Sequence, residues 1–151
     1  MEKFDLSVGL QGSFGAKIYN SMRPDLEDVS KGTNYSKVVL GHWTVDNPNT
    51  SIPRLIWGDP NQNARTDSDR FLESGDFVRI TNVQLGYDLP RKCLPFLNTA
   101  RVYVNMDNLY TFTNYSGFTP DVNGGSALER GVDRYTYPLP RTITVGVNVS
   151  F

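Results

Sequence analysis

The sequence predicts an all-β chain of long, two-faced antiparallel strands, and three observations carry that reading. The final eleven residues, Arg141 to Phe151, alternate without a break: Ile143, Val145, Val147, Val149 and Phe151 fall on one side, Thr142, Thr144, Gly146, Asn148 and Ser150 on the other. Successive strand side chains point to opposite faces, so such a segment has one apolar wall and one polar wall. Three further stretches repeat this period. The links between the four run long, short, long. The final stretch also suits a tilted strand crossing a bilayer, which takes about 9–11 residues. The expected architecture is therefore four meander strands in the wall of a membrane barrel.

The first strand is expected over about residues 3–19. Phe4, Leu6, Val8, Leu10, Phe14, Ala16 and Ile18 share one face, interrupted at Gly12, and Asp5, Ser7, Gly9, Gln11, Ser13, Gly15, Lys17 and Tyr19 share the other. The second, 77–89, sets Val83, Leu85, Tyr87 and Leu89 against Asn82, Gln84, Gly86 and Asp88. Val78 and Ile80 lie in the opposite phase, which predicts a bulge, or an emergence from the bilayer, near Thr81. The third, 101–113, sets Val102, Val104, Met106, Tyr110 and Phe112 against Arg101, Tyr103, Asn105, Asp107 and Thr111. The fourth is 141–151. Aromatics gather at strand ends, as an interfacial girdle requires.

Barrels of the outer membrane place short turns in the periplasm and long loops outside. Residues 90–100 would then be a periplasmic turn, 20–76 and 114–140 outer loops, and both chain ends periplasmic. The first loop is too long to lack structure of its own. Asn34 to His42 is a weak helical candidate, and Asp59-Pro60-Asn61-Gln62-Asn63 reads as a turn. The second loop, with Gly117, Pro120, Asn123-Gly124-Gly125, Pro138 and Pro140, reads as a folded excursion.

Composition narrows the class further. At 38% hydrophobic, the 151 residues contain no apolar run long enough for a spanning helix. A net charge of −1 gives no footprint for nucleic acid. Cys93 is alone, which excludes an intramolecular disulfide and a cysteine metal cluster. No apolar leader core follows Met1-Glu-Lys, so an exported chain of this kind is expected to be a piece of a longer precursor. Four strands also cannot close a membrane barrel, since the smallest bacterial ones use eight. Open edges in lipid would leave unsatisfied backbone groups at several kcal/mol each, so the remaining wall is expected elsewhere.

Several segments together resemble the SusC/RagA-type TonB-dependent outer-membrane transporters. They are Phe14-Gly-Ala-Lys-Ile-Tyr-Asn20, His42-Trp-Thr-Val-Asp-Asn-Pro-Asn-Thr50 with Ile52-Pro-Arg54, Ser68-Asp-Arg-Phe-Leu-Glu73, and Phe77 to Tyr87. Val102 to Phe112, Tyr115-Ser-Gly-Phe-Thr-Pro-Asp121, Tyr137-Pro-Leu-Pro-Arg-Thr142 and the terminal strand complete the set. The resemblance implies the last four strands of a 22-stranded barrel around an amino-terminal plug. It implies an importer of oligosaccharides or peptides, energised through the TonB complex and lidded by a surface lipoprotein, in the outer membrane of a Gram-negative cell. Val147, Val149 and Phe151 resemble the signal read by barrel-assembly machinery. Plug, TonB box and signal peptide are all absent from this sequence, so it is not expected to transport alone.

Trp43, Trp57, Tyr115, Asp121, Arg130 and Tyr135 are the candidate ligand contacts on the outer loops: rings to stack on sugars and polar groups to bond hydroxyls, with Phe118 and Asp133 beside them. Packing of the loops against one another is the plainer role for each. Asp5, Lys17, Arg101 and Asp107 are expected to face the lumen, either lining a solute path or pairing with one another or the plug. His42 has no second His or Cys at ligand spacing and reads as a packing residue. Asp59, Asp67 and Asp69 supply oxygens but no calcium-loop pattern, which favours turn and capping roles. No catalytic triad context is present, no cofactor is implied, and an enzyme is the least supported class. The alternatives are a soluble all-β carbohydrate-binding module and the wall of a porin-like or adhesin barrel.

Overall fold

The computed structural model describes residues 3–64, 68–90, 96–122 and 129–151. The chain divides into two compact units. One gathers 1–15, 76–114 and 138–151, the other 16–75 and 115–137.

The first unit is a four-stranded antiparallel sheet. Its strands are β1 (Phe4–Ser13), β4 (Phe77–Asp88), β5 (Thr99–Thr113) and β7 (Thr142–Ser150), in the order β1-β4-β5-β7. The register stacks like with like. Phe4, Tyr87, Val102 and Val147 lie on one rung; Leu6, Leu85, Val104 and Val145 on another; Val8, Val83, Met106 and Ile143 on a third. Between them run Ser7, Gln84, Asn105 and Thr144, and Gly9, Asn82, Asp107 and Thr142. A one-residue slip would reverse every side chain, so this agreement over four strands fixes the pairing.

The apolar rungs are not covered. Leu6 is 67% exposed, Leu85 49%, Val145 68% and Val147 63%. A face of aliphatic side chains this large is normally hidden in a water-soluble protein.

The sheet is irregular at one level. Gly9 and Leu10 are adjacent on β1, Thr81 intervenes between their partners on β4, and Asn108 and Leu109 intervene on β5. This bulge at Thr81 reconciles the two phases of β4, because Ile80 pairs with Leu10 and Tyr110 and rejoins the apolar rungs. Asn108 sits at φ 52°, a left-handed conformation that asparagine tolerates, and its Nδ2 donates to the Pro140 carbonyl at 3.2 Å.

Two expectations require correction. A single strand over 3–19 does not form: β1 stops at Ser13, and Lys17–Asn20 (β2) belongs to the second unit. Gly15, at φ 79°, turns the chain where alternation alone reads straight through, and its N–H donates to Asp76 Oδ1 at 2.6 Å. Lys17 therefore does not lie on the polar face of the four-stranded sheet. The helical candidate 34–42 is only a 3₁₀ turn, Lys37–Gly41, whereas Met22–Glu27 is the α-helix (α1).

The second unit carries a small mixed sheet in which β2 pairs antiparallel with β3 (Leu72–Ser74) and parallel with β6 (Val132–Asp133). Its buried side chains include Ile18, Asn20, Met22, Glu27, Ile52, Phe71, Tyr115 and Asp133. No helix among the described residues is long and apolar enough to cross a membrane, which says nothing of strands.

Candidate functional site

Two arrangements carry the chemistry, one in each unit. On the polar face of the four-stranded sheet, Arg101 Nη2 donates to Asp5 Oδ2 at 2.7 Å. The pair closes over Gly86, where any Cβ would strike both side chains. On the same rung the ring of Tyr103 lies against Gly146, again in space a Cβ would occupy. Across the next two polar rungs, Asn82 Nδ2 donates to Asn105 Oδ1 at 2.6 Å and Asp107 Oδ1 at 2.9 Å, and Asn105 Nδ2 donates to Asp107 Oδ2 at 3.0 Å. Beyond the bulge, Arg79 is buried: its Nε donates to Thr111 Oγ1 at 3.0 Å and its guanidinium lies 5.1 Å from the Phe77 ring centre. Of the expected lumen residues, Asp5, Arg101 and Asp107 thus share one face, as an ion pair and an amide-held carboxylate. This surface offers hydrogen bonds and paired charge, with no nucleophile set beside a base.

The second arrangement escaped the sequence reading. Phe71 is fully buried between the guanidiniums of Arg23 and Arg70, 5.4 and 5.1 Å from its ring centre, with Tyr19 edge-on at 6.4 Å. Arg23 Nε donates to Glu27 Oε1 at 2.7 Å and Nη1 to Glu73 Oε1 at 3.1 Å, while Arg70 Nη2 donates to Glu27 Oε2. Glu73 also accepts from the Ser116 N–H at 2.8 Å, the Ser116 hydroxyl at 2.7 Å and Asn20 Nδ2 at 3.3 Å. Burial pulls the Glu73 carboxyl upward, but the Ser116 and Arg23 hydrogen bonds outweigh it and hold the group below the usual carboxylate range. Only the i,i+4 spacing of Arg23 and Glu27 on α1 was a local signal. The remaining hydrogen-bond partners are 43 to 53 residues apart in sequence.

The candidate ligand contacts divide. Tyr115 is 6% exposed, and its hydroxyl donates to Asp133 Oδ2 at 2.6 Å. Asp133 is wholly buried and takes the Thr136 N–H on its other oxygen at 2.8 Å. Burial, then the Asp133 hydrogen bond, pushes the Tyr115 phenol far up. Neither residue presents to a ligand, and the packing role is the correct one for both. Trp57 is 73% exposed, Trp43, Tyr135, Phe118 and Arg130 are exposed, and Asp121 is half-exposed. The Tyr135 hydroxyl donates to Asp25, which also holds Lys31. Trp43, Trp57 and Tyr135 make no ring contact with one another among the described residues.

His42 Nδ1 lies 2.9 Å from the Val39 carbonyl. Asp59 accepts the N–H groups of Asn63 and Ala64 at 2.9 and 2.8 Å, the behaviour of a turn residue. Asp67 lies outside the described residues. Among those described, no group of three or more His, Cys, Asp or Glu is placed to hold a metal ion.

No family model matches the chain. TonB-dependent receptor P3 of Formosa agariphila is 34% identical over 99% of the chain and 15% of its own length. TonB-dependent receptor SusC of Bacteroides thetaiotaomicron is 26% identical over 99% of the chain and 14% of its own. A solved structure described as the RagAB peptide transporter superposes at a TM-score of 0.81, with 29% identity over 99% of the chain and 16% of that one. The chain thus spans only about a sixth of each protein it resembles.

Proposed function

We propose that this chain, which belongs to the TonB-dependent receptors of the SusC/RagA type, supplies four wall strands and two outer loops to an outer-membrane nutrient importer. The whole is read as a 22-stranded barrel around a plug, energised through TonB and working with a surface lipoprotein. The observation that carries the reading is the opposition of the two sheet faces: exposed aliphatic rungs on one side, a hydrogen-bonded polar ladder on the other. A barrel wall needs both.

Ring pairs support it at both ends of the sheet, Phe4 with Tyr87 and Tyr110 with Phe112. From the rung of Phe4 to that of Gly12 and Phe112 is roughly 27 Å along the strand. At a barrel strand tilt of about 40° this is roughly 20 Å of depth, near the ~25 Å apolar band of such walls. Val147, Val149 and Phe151 continue the lipid side as the assembly signal. The soluble sandwich is disfavoured, because it would cover this same face. The strands β1 and β7 at the two sheet edges are read as pairing with the rest of the wall.

Single cysteines in the full-length transporter test the assignment. Leu6→Cys and Val145→Cys, carrying a fluorophore, are expected to be quenched by brominated lipid, and Ser7→Cys and Thr144→Cys are not. Equal quenching at all four positions, or none at any, refutes the wall.

A further inference from the structure

On the apolar side of the four-stranded sheet, the rungs from Phe4 to Val8 hold aliphatic and aromatic side chains and no charge. Beyond them, at the start of β7, stands Arg141. It directly precedes the strand and is in phase with Ile143, Val145 and Val147. We infer that Arg141 and Tyr110 form a contact site for a phosphate of an outer-leaflet lipid headgroup. The inference rests on the wall reading above and adds the chemistry of the lipid met at its outer end.

Register sets the two residues side by side. Gly9, Asn82, Asp107 and Thr142 make one rung, and Leu10, Ile80 and Tyr110 belong to the next. One residue on from Thr142, Arg141 falls at that same level, one strand spacing of roughly 5 Å from Tyr110. Asn108 Nδ2, donating to the Pro140 carbonyl at 3.2 Å, ties the two segments together there. Both side chains are exposed. Arg141 has no ion pair or hydrogen bond among the described residues, and the Tyr110 hydroxyl has no hydrogen bond among them. Asp76, which is acidic and in the same phase, precedes β4, two strands away from β7, and its carboxylate takes the Gly15 N–H. The apolar side thus carries an uncompensated positive charge at this end.

A cation on the lipid side of a barrel is costly at mid-bilayer and tolerated near the interface. The guanidinium fork matches two phosphate oxygens at once, and a phenol adds another donor. Tyr110 meets Phe112 edge-on at 4.7 Å, and paired rings of this kind mark the level where headgroups begin. Val78 and Phe112 lie one apolar rung farther out, which the arginine stem spans by snorkelling toward the interface.

The test uses the full-length transporter in detergent and lipid A bearing both its phosphates. The same lipid stripped of phosphate is the counter-probe, and native mass spectrometry reads each titration. Arg141→Gln is expected to weaken binding of the phosphorylated lipid at least fivefold, and Tyr110→Phe about twofold. Arg141→Lys, which keeps the charge without the fork, should weaken it less, and carries the test if Arg141→Gln loses the heat-shifted electrophoretic mobility of a closed barrel. Lys37→Gln, at an exposed loop cation, should change nothing, and the stripped lipid should bind every variant equally. Phosphorylated-lipid binding that Arg141→Gln leaves intact overturns the inference. Equal weakening of both lipids does the same, as does inorganic phosphate that binds as tightly as the lipid. Absence of quenching at Leu6→Cys and Val145→Cys sinks the wall reading; quenching there with lipid binding unaltered in Arg141→Gln sinks the phosphate site alone.

Discussion

Tyr103 and Gly146 make a lock between neighbouring strands: a ring on β5 occupies the space a side chain on β7 would need. Gly146→Ala should displace that ring and cost about 1–3 kcal/mol, the usual penalty of overpacking. Urea unfolding of the lipid-reconstituted transporter measures it. Coupling is the informative part: in the Tyr103→Ala background the same change should cost less than half as much. A second contrast lies in the loops. Tyr115→Phe removes the donor to buried Asp133 Oδ2 and should cost about 1–3 kcal/mol, whereas Trp57→Ala, at an exposed side chain, should stay within about 0.5 kcal/mol. Thermal protection of the loop unit against protease separates the two. Equal sensitivity would contradict the packing role assigned to Tyr115.

At the scale of elements, the four-way cluster organises the loop unit, and its response to acid follows from Glu73. The carboxyl titrates below its ordinary value when folded, so its contribution is complete where an unfolded glutamate is ionised. It drains away as pH falls from the ordinary glutamate range through the lowered folded value. Protease resistance of residues 16–75 should fall over that window and should be flatter, though lower throughout, in Glu73→Gln. The bulge gives a sharper forecast: deleting Thr81 makes Ile80 and Asn82 neighbours, so a regular strand keeps Val78 and Ile80 on the apolar face with Val83 and Leu85. The variant should still assemble, read as retained heat-shifted mobility. Two apolar phases colliding within one strand marked the irregularity near Thr81 in the sequence, but left a bulge and an emergence from the bilayer equally open. Period two likewise sorted nearly every residue of β1, β4, β5 and β7 to its face. It could not see Gly15 end the first strand, because a left-handed turn leaves alternation intact. Nor could it assemble Arg23, Arg70, Glu73 and Ser116, whose contacts join distant segments with no local pattern. Tyr115 misled for a related reason: an aromatic on a loop looks available until a buried carboxylate such as Asp133 claims its hydroxyl.

At the scale of the molecule, the four strands present one apolar and one polar face and leave β1 and β7 with one neighbour each. Everything proposed about transport concerns a protein of the relatives' length, of which this chain spans about 15%. On the barrel reading proposed above, the irregular level at Thr81 would bear on how the wall closes. Nothing intervenes there on β1, one residue on β4 and two on β5, so each strand steps ahead of the last. A cylinder of strands closes only when its accumulated stagger agrees with their tilt. In a closed wall these two extra residues would add to that stagger, and a barrel that lost them would need another seam to gain them back or a different diameter.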